Sequence, residues 1–224
     1  MYNPPSRSRQ FDLIAFDWDG TLFDSTKIII RCIQEAVKDV GGQAPTDEKA
    51  AYVIGLALVP ALAHAAPDVP AEKYPELSKR YSHHYVKQKN DLSLFEGTLE
   101  MLSQLRSQSF KIAVATGKSR SGLNDALNTA ALKDVFHSTR TADETAGKPD
   151  PKMLLELMEE MRILPSRTLM IGDTSHDLLM AQRAGCASVG VSYGAHRGES
   201  LQEFGPLFIA KSVQELHQWI NEHG

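Results

Sequence analysis

Four short stretches of this 224-residue chain carry polar groups that a folded interior does not accept without a reason. The first is Asp17-Trp18-Asp19-Gly20-Thr21, directly after the apolar run Leu13-Ile14-Ala15-Phe16. A run of that length and content reads as a short buried strand. Carboxylates at the end of such a strand are costly unless they are paired, hydrogen-bonded or bound to a metal. Gly20 permits a sharp turn, and Thr21 offers a hydroxyl and an amide. A bare Asp-x-Asp is most simply an acidic turn; the other three stretches change that reading. Thr116-Gly117-Lys118-Ser119 follows the apolar run 111–115, and Gly172-Asp173-Thr174-Ser175-His176-Asp177 follows the run 168–171. Gly147-Lys148-Pro149-Asp150-Pro151 immediately precedes an apolar-periodic segment.

The elements that must position these groups follow from the spacing of apolar residues. Ile29, Ile33, Ala36, Val37 and Val40 predict a helix from Asp24-Ser25-Thr26, whose oxygens can cap it, to Gly41-Gly42. Thr46 can cap a short helix through Ile54, and Pro60 suits the first turn of another. A longer helix is expected from about Ala71 to Lys89, with Tyr74, Leu77, Tyr81 and Tyr85 on one face as the core of this helical region. Phe95-Glu96-Gly97 reads as the return crossing. Beyond it, helices over 98–108, 121–129, 151 onwards, 176–184 and 213–221 alternate with strands over 111–115, 137–141, 168–171, 188–191 and 207–209. That alternation implies an α/β fold, a Rossmann-like parallel sheet with helices on both faces. The helical region from 25 to 94 is expected to be inserted as a cap, with 1–24 and 95–224 forming the core. In such sheets ligands bind beyond the carboxyl ends of the strands. The loops carrying Asp17, Thr116 and Asp173 would then share one edge, whereas the placement of Lys148 follows less directly.

Composition narrows the function. With 28 acidic against 24 basic residues the formal net charge is −4, which gives no electrostatic case for nucleic acid or an anionic membrane. No apolar stretch approaches the roughly 20 residues of a membrane span. Met1 to Gln10 is polar, lacks the apolar segment of a signal peptide and reads as a loose tail. Two distant cysteines, Cys32 and Cys186, suggest neither a disulfide framework nor a metal motif, so a reduced, cytoplasmic protein is expected.

The set Asp-x-Asp-Gly-Thr, Thr-Gly, Lys-Pro and Gly-Asp-x-x-x-Asp, complete and in order over about residues 10–220, resembles the haloacid dehalogenase superfamily. Its phosphatases with a helical cap are the nearest match, above all the phosphoglycolate-phosphatase-like group. Trp18 departs from that group, which usually carries an aliphatic residue there. The resemblance implies hydrolysis of a phosphate ester, with Asp17 as the nucleophile that forms an aspartyl-phosphate and Asp19 as acid, then base. It implies that Thr116 and the amides of Gly117 and Lys118 bind the phosphoryl group, and that Lys148 neutralises it. The implied magnesium site comprises Asp17, the backbone carbonyl of Asp19, Asp173 and Asp177. Asp177 is either a ligand, a group orienting one, or a plain first-turn carboxylate near a helix dipole. Electrostatics supports the set: four carboxylates in one dry pocket repel, and a hard dication together with Lys148 relieves the repulsion.

The expected substrate is a small phosphorylated metabolite resembling phosphoglycolate, with no nucleic-acid or membrane partner and a monomer favoured. The enzymatic rival is a sugar phosphomutase using the same aspartate pair. A non-catalytic binding or regulatory protein on this fold would be favoured by loss of a motif residue, and none is lost. The sugar phosphomutases that this chain resembles carry an arginine for the second phosphate soon after a glycine matching Gly55, whereas Gly55-Leu56-Ala57-Leu58-Val59-Pro60, the stretch that the resemblance implies faces the site, is uncharged. The adjacent His83 and His84 point in different directions on a helix and are not read as a metal site. Cys32 and Cys186 read as packing residues, His176 as a surface residue, and the role of Lys118 stays open.

Overall fold

The computed structural model describes residues 9–88, 92–130 and 132–224. Most of the expected tail, residues 1–8, and the expected end of a helix at Lys89 lie outside the described residues. The run Leu13–Phe16 forms β1, buried along its whole length because helices cover both faces. Leu13 and Ala15 face one apolar cluster while Ile14, Phe16 and Trp18 face another, the two-residue period of an extended chain.

Five further strands complete the sheet: β2 (Lys111–Thr116), β3 (Ser138–Thr141), β4 (Thr168–Gly172), β5 (Ala187–Val191) and β6 (Ile209–Ala210). Every pairing is parallel, in the order β3-β2-β1-β4-β5-β6. The fold is therefore the expected Rossmann-like α/β arrangement. Phe16 stands level with Val114 on one side and Ile171 on the other. The loops after β1, β2 and β4 consequently leave the sheet side by side. Strand order runs outward from β1 to β3 and then jumps to β4, so the crevice beside β1 is where a ligand has room. The last strand forms later than 207–209: Leu207 follows Pro206 and is half exposed, although its amide still donates to Ser188 O at 2.8 Å.

Between β1 and the return crossing at Phe95 the described residues form α1 (Thr26–Asp39), α2 (Asp47–Tyr52), α3 (Leu58–Ala65) and α4 (Tyr74–Gln88). They enclose a core of their own, in which Ile29, Ile33 and Val37 of α1 meet Leu62 of α3 and Leu77 of α4. The chain leaves and re-enters through a paired crossing, with Asp24 N donating to Ser93 O (2.9 Å) and Phe95 N to Leu22 O (3.0 Å). Thr46 caps α2 as expected. Ser25 stands at the N-cap of α1 but makes no side-chain cap bond. Its hydroxyl donates to Asp19 instead, because a carboxylate is the stronger acceptor.

The remaining helices are α5 (Thr98–Ser107), α6 (Arg120–Thr129), α7 (Lys152–Met161), α8 (Ser175–Ala184), α9 (Gly198–Gln202) and α10 (Val213–His223). Helices α5, α6 and α10 cover one face of the sheet, and α7 and α8 the other. Helix α9 has five residues with one buried, Leu201, too few to show a period in the sequence.

Trp18 is fully buried, with its ring stacked on Phe23 at 5.4 Å and edge-on to Phe136 at 6.3 Å. A buried tryptophan is worth about 3–5 kcal/mol over alanine. The unusual residue between the two aspartates is thus a packing anchor that fixes the turn they stand on. Its indole N–H has no protein partner.

Candidate active site

The carboxyl edge of the sheet gathers the acidic residues. Asp17 continues the β1 ladder through its amide, which donates to Ile171 O at 2.8 Å, and its side chain is buried. Oxygens of Asp17, Asp173 and Asp177 all lie within 4.8 Å of one another. Lys148 Nζ pairs with Asp17 Oδ1 and, at 2.6 Å, with Asp177 Oδ1. Thr21 Oγ1 and the Ala195 amide donate to the two oxygens of Asp173, at 3.1 and 2.7 Å. Asp17 Oδ2 is buried and accepts no hydrogen bond.

Burial pushes the Asp17 carboxyl up to about 7 against the pull of Lys148, and the charge of Asp177 adds to the rise. Burial, with Asp17 and Asp177 as neighbours, holds Asp173 well above the usual carboxylate range. For Lys148 burial acts downward, but its two carboxylate partners raise it overall. Among the described residues, the four buried carboxylates, with Asp19 included, are met by two ammonium groups, Lys148 and Lys118. The donor set is all oxygen, one oxygen is orphaned and the acidic charge is in excess. These residues fit a hard divalent cation. The space around them is kept open by glycine. Gly20, at φ +80°, would place a Cβ 2.1 Å from Asp173 Oδ2, and Gly194 would place one at 2.3 Å.

Asp19 belongs to a second group. Its side chain is turned out of the cluster: Oδ1 accepts from Ser25 Oγ at 2.7 Å and Oδ2 pairs with Lys118 Nζ at 2.9 Å. Lys118 also donates to Tyr85 Oη at 3.0 Å, so it links the loop after β2, the Asp19 carboxylate and helix α4. Thr116 is buried at the end of β2, and its Oγ1 accepts the Lys118 amide at 3.2 Å, leaving the hydroxyl proton free to donate. Asp177 accepts from the amide and hydroxyl of Thr174 through Oδ2 while Oδ1 reaches Lys148. It therefore caps α8 and faces the cluster at once.

The helical segment rests on these loops. A Cβ on Gly117 would lie 2.4 Å from Gly55 O and 2.5 Å from Leu56 O, and one on Gly147 would lie 3.2 Å from the Ala57 side chain. No other residue type fits at 117 while the 55–57 loop sits there. Gly117→Ala should lower kcat/KM by about 10²-fold, the loss that follows misplacement of reacting groups by about 1 Å. Far-UV circular dichroism should be unchanged, because the displaced groups belong to loops. Steady-state kinetics of the variant checks this, and an unaltered kcat/KM would contradict it.

His176 is not on the surface. It is 7% exposed, donates from Nε2 to Tyr52 O at 2.7 Å, and packs edge-on to His196 at 5.4 Å. The reason is tertiary, since α2 folds down onto the start of α8. Burial pushes the Cys32 thiol up to about 11 and that of Cys186 up to about 12, in keeping with packing roles. His84 Nε2 meets Asp39 Oδ2 at 2.9 Å. The sequence reading missed the 192–197 loop after β5. There the Ala195 amide holds Asp173, Tyr193 Oη donates to Thr21 O at 3.1 Å, and His196 Nδ1 accepts the Ser175 amide at 3.1 Å. Its one available signal was position, since it follows a strand at the same edge.

A doubly wound parallel sheet with a buried, cation-competent carboxylate cluster at its carboxyl edge is an α/β protein with its ligand site where such sheets place one. The model of the haloacid dehalogenase-like hydrolase family matches residues 14–191. The phosphoglycolate phosphatase of Vibrio vulnificus (strain CMCP6) is 32% identical over 218 residues, covering 93% of this chain and 95% of that one. A protein of Dickeya dadantii (strain 3937) named probable phosphatase IndB is 33% identical over 211 residues, covering 91% of each. The crystal structure of a hydrolase from Pseudomonas syringae has the same fold, with a TM-score of 0.86 at 24% identity over 95% of this chain and 99% of that one. The chain belongs to the haloacid dehalogenase-like hydrolases, as a phosphatase of the phosphoglycolate-phosphatase-like kind. Among the described residues no helix is long and apolar enough to cross a membrane.

Proposed function

We propose that the protein hydrolyses a phosphate monoester of a small metabolite, with Asp17 as nucleophile, Asp19 as acid and base, and magnesium as cofactor. The observation that carries the reading is a buried Asp17 carboxylate with one oxygen paired to the buried Lys148 and the other without a partner, two residues from a second carboxylate held apart from the cluster. In the first step an Asp17 oxygen attacks phosphorus and the ester P–O bond breaks. The electron pair leaves with the alcohol oxygen, which takes a proton from Asp19. In the second step Asp19 takes a proton from water, whose oxygen attacks the same phosphorus. The bond to Asp17 then breaks, which restores the carboxylate and releases phosphate.

Lys148 holds Asp17 in place and offsets the charge gathering on the phosphoryl oxygens, and the Thr116 hydroxyl with the following amides donates to them. Asp17, Asp173 and Asp177, with the Asp19 carbonyl, would hold the magnesium ion, which when bound supplies further neutralisation of phosphoryl charge. Residues 25–94 act as a lid on the core formed by 1–24 and 95–224, opening at the paired crossing of Asp24 and Ser93 and excluding water until the phosphoryl group has moved. The uncharged loop at Gly55, Leu56 and Leu58 supports hydrolysis over mutase chemistry, because it offers no partner for a second phosphate.

Phosphate release should require added magnesium, vanish with chelator and be inhibited by calcium, which prefers more ligands at longer distances. Full activity in chelated buffer would overturn the cofactor assignment. Phosphoglycolate, the ester named for the relatives, is the reference substrate for the assay.

A further inference from the structure

Asp19, the group that would protonate the leaving oxygen, lines a cavity of about 330 Å³ between the helical segment and α6. Asp17, Lys148 and Asp173 do not line it. The cavity therefore begins where the phosphoryl site ends, on the side from which the alcohol departs. Its walls are Ile33 of α1, Leu56, Leu58, Leu62 of α3, and Tyr81 and Tyr85 of α4. Among the described lining residues the charged groups are Asp19, Lys118 and Asp125, two acids to one ammonium. Lys118 is already engaged by Asp19 and by the Tyr85 hydroxyl.

Among the described lining residues, an alcohol bearing a carboxylate or a second phosphate would find one ammonium, Lys118, shared between Asp19 and the Tyr85 hydroxyl, and otherwise mostly aliphatic and aromatic walls. A glycolate unit would also fill little of it and leave water against aliphatic walls. The volume is instead that of a site for an organic group, since small-molecule pockets run from about 300 to 1,000 Å³ and are mostly apolar.

We propose that the alcohol released by this enzyme is uncharged and largely apolar, an alkyl or aromatic alcohol of several carbons seated between the tyrosines of α4 and the leucines of the 56–62 segment. The proposal rests on the reading of Asp17 and Asp19 as the reacting pair. It makes phosphoglycolate a poor substrate even though the chain resembles phosphatases named for it.

The test measures kcat/KM of the purified full chain with magnesium for hexyl phosphate, benzyl phosphate and phosphoglycolate. p-Nitrophenyl phosphate serves as a separate report on the chemistry. Hexyl and benzyl phosphate should exceed phosphoglycolate by at least about tenfold, which is about 1.4 kcal/mol. Leu58→Arg, which adds a cation to the wall, should move the benzyl-to-phosphoglycolate ratio at least about tenfold toward phosphoglycolate. The ratio is independent of how much of the variant folds, and the wild-type series decides the matter alone if none does. Equal use of the three esters, or preference for phosphoglycolate, overturns the proposal while leaving the Asp17 chemistry standing. Failure to release phosphate from any ester, p-nitrophenyl phosphate included, overturns the reaction itself and the proposal with it.

Discussion

Asp17→Asn is expected to abolish turnover, by more than about 10⁴-fold, while leaving the protein folded. An amide oxygen is a poor nucleophile, and loss of a covalent nucleophile is felt on that scale. Lys148 keeps Asp177 as a partner, so the substitution does not strand a buried charge. Stability should move the other way from activity. A carboxyl held at about 7, against an ordinary 3.8, binds its proton more tightly folded than unfolded. The protein therefore loses stability as pH rises through that window, and above it the ionised, desolvated Asp17 is a burden on the fold. In metal-free buffer above pH 7 the variant should melt at or above the wild-type temperature. Residual phosphatase activity within tenfold of wild type would show that the nucleophile lies elsewhere.

Asp19→Asn should slow the reaction by about 10²–10⁴-fold, the usual contribution of a positioned acid and base. The size of the loss should depend on the leaving group. An alkyl phosphate needs a proton on its departing oxygen and should show the full loss. p-Nitrophenyl phosphate departs as a stabilised anion and should show a smaller one in the step that forms the aspartyl-phosphate. Ser25 and Lys118 hold the two Asp19 oxygens, and the asparagine can keep the Ser25 contact through its carbonyl. Pre-steady-state release of alcohol from the two esters separates the steps. Equal losses for both would remove Asp19 from the role of acid.

The acidic edge was legible in the sequence because each of its parts is local. A short apolar run followed by a glycine and reactive polar side chains reads as a strand ending at a site, and three such runs end at Asp17, Thr116 and Asp173. Parallel pairing then brings them together. What could not be read depends on contacts between distant segments. The Ala195 amide that holds Asp173 leaves no mark in the identity of the residue supplying it. Lys118 follows Thr116-Gly117 in sequence, but its ammonium is claimed by Asp19 and by Tyr85 of α4. The tyrosine face of α4 reads as core, and it is, yet Tyr81 and Tyr85 also wall the cavity beside Asp19. His176 carries no periodic signal, and its burial depends on the carbonyl of Tyr52 coming down from α2.

The central claim is that a phosphoryl group passes through Asp17. The most direct measurement is to mix enzyme, magnesium and a rapidly cleaved ester, quench in acid within the first turnover, and analyse the proteolytic peptides by mass spectrometry. The account predicts a phosphoryl group on the peptide carrying Asp17, at its side chain, formed before inorganic phosphate and absent from Asp17→Asn. Phosphate released at the full rate with no phosphorylated intermediate, or a phosphoryl group found on any other residue, would contradict it.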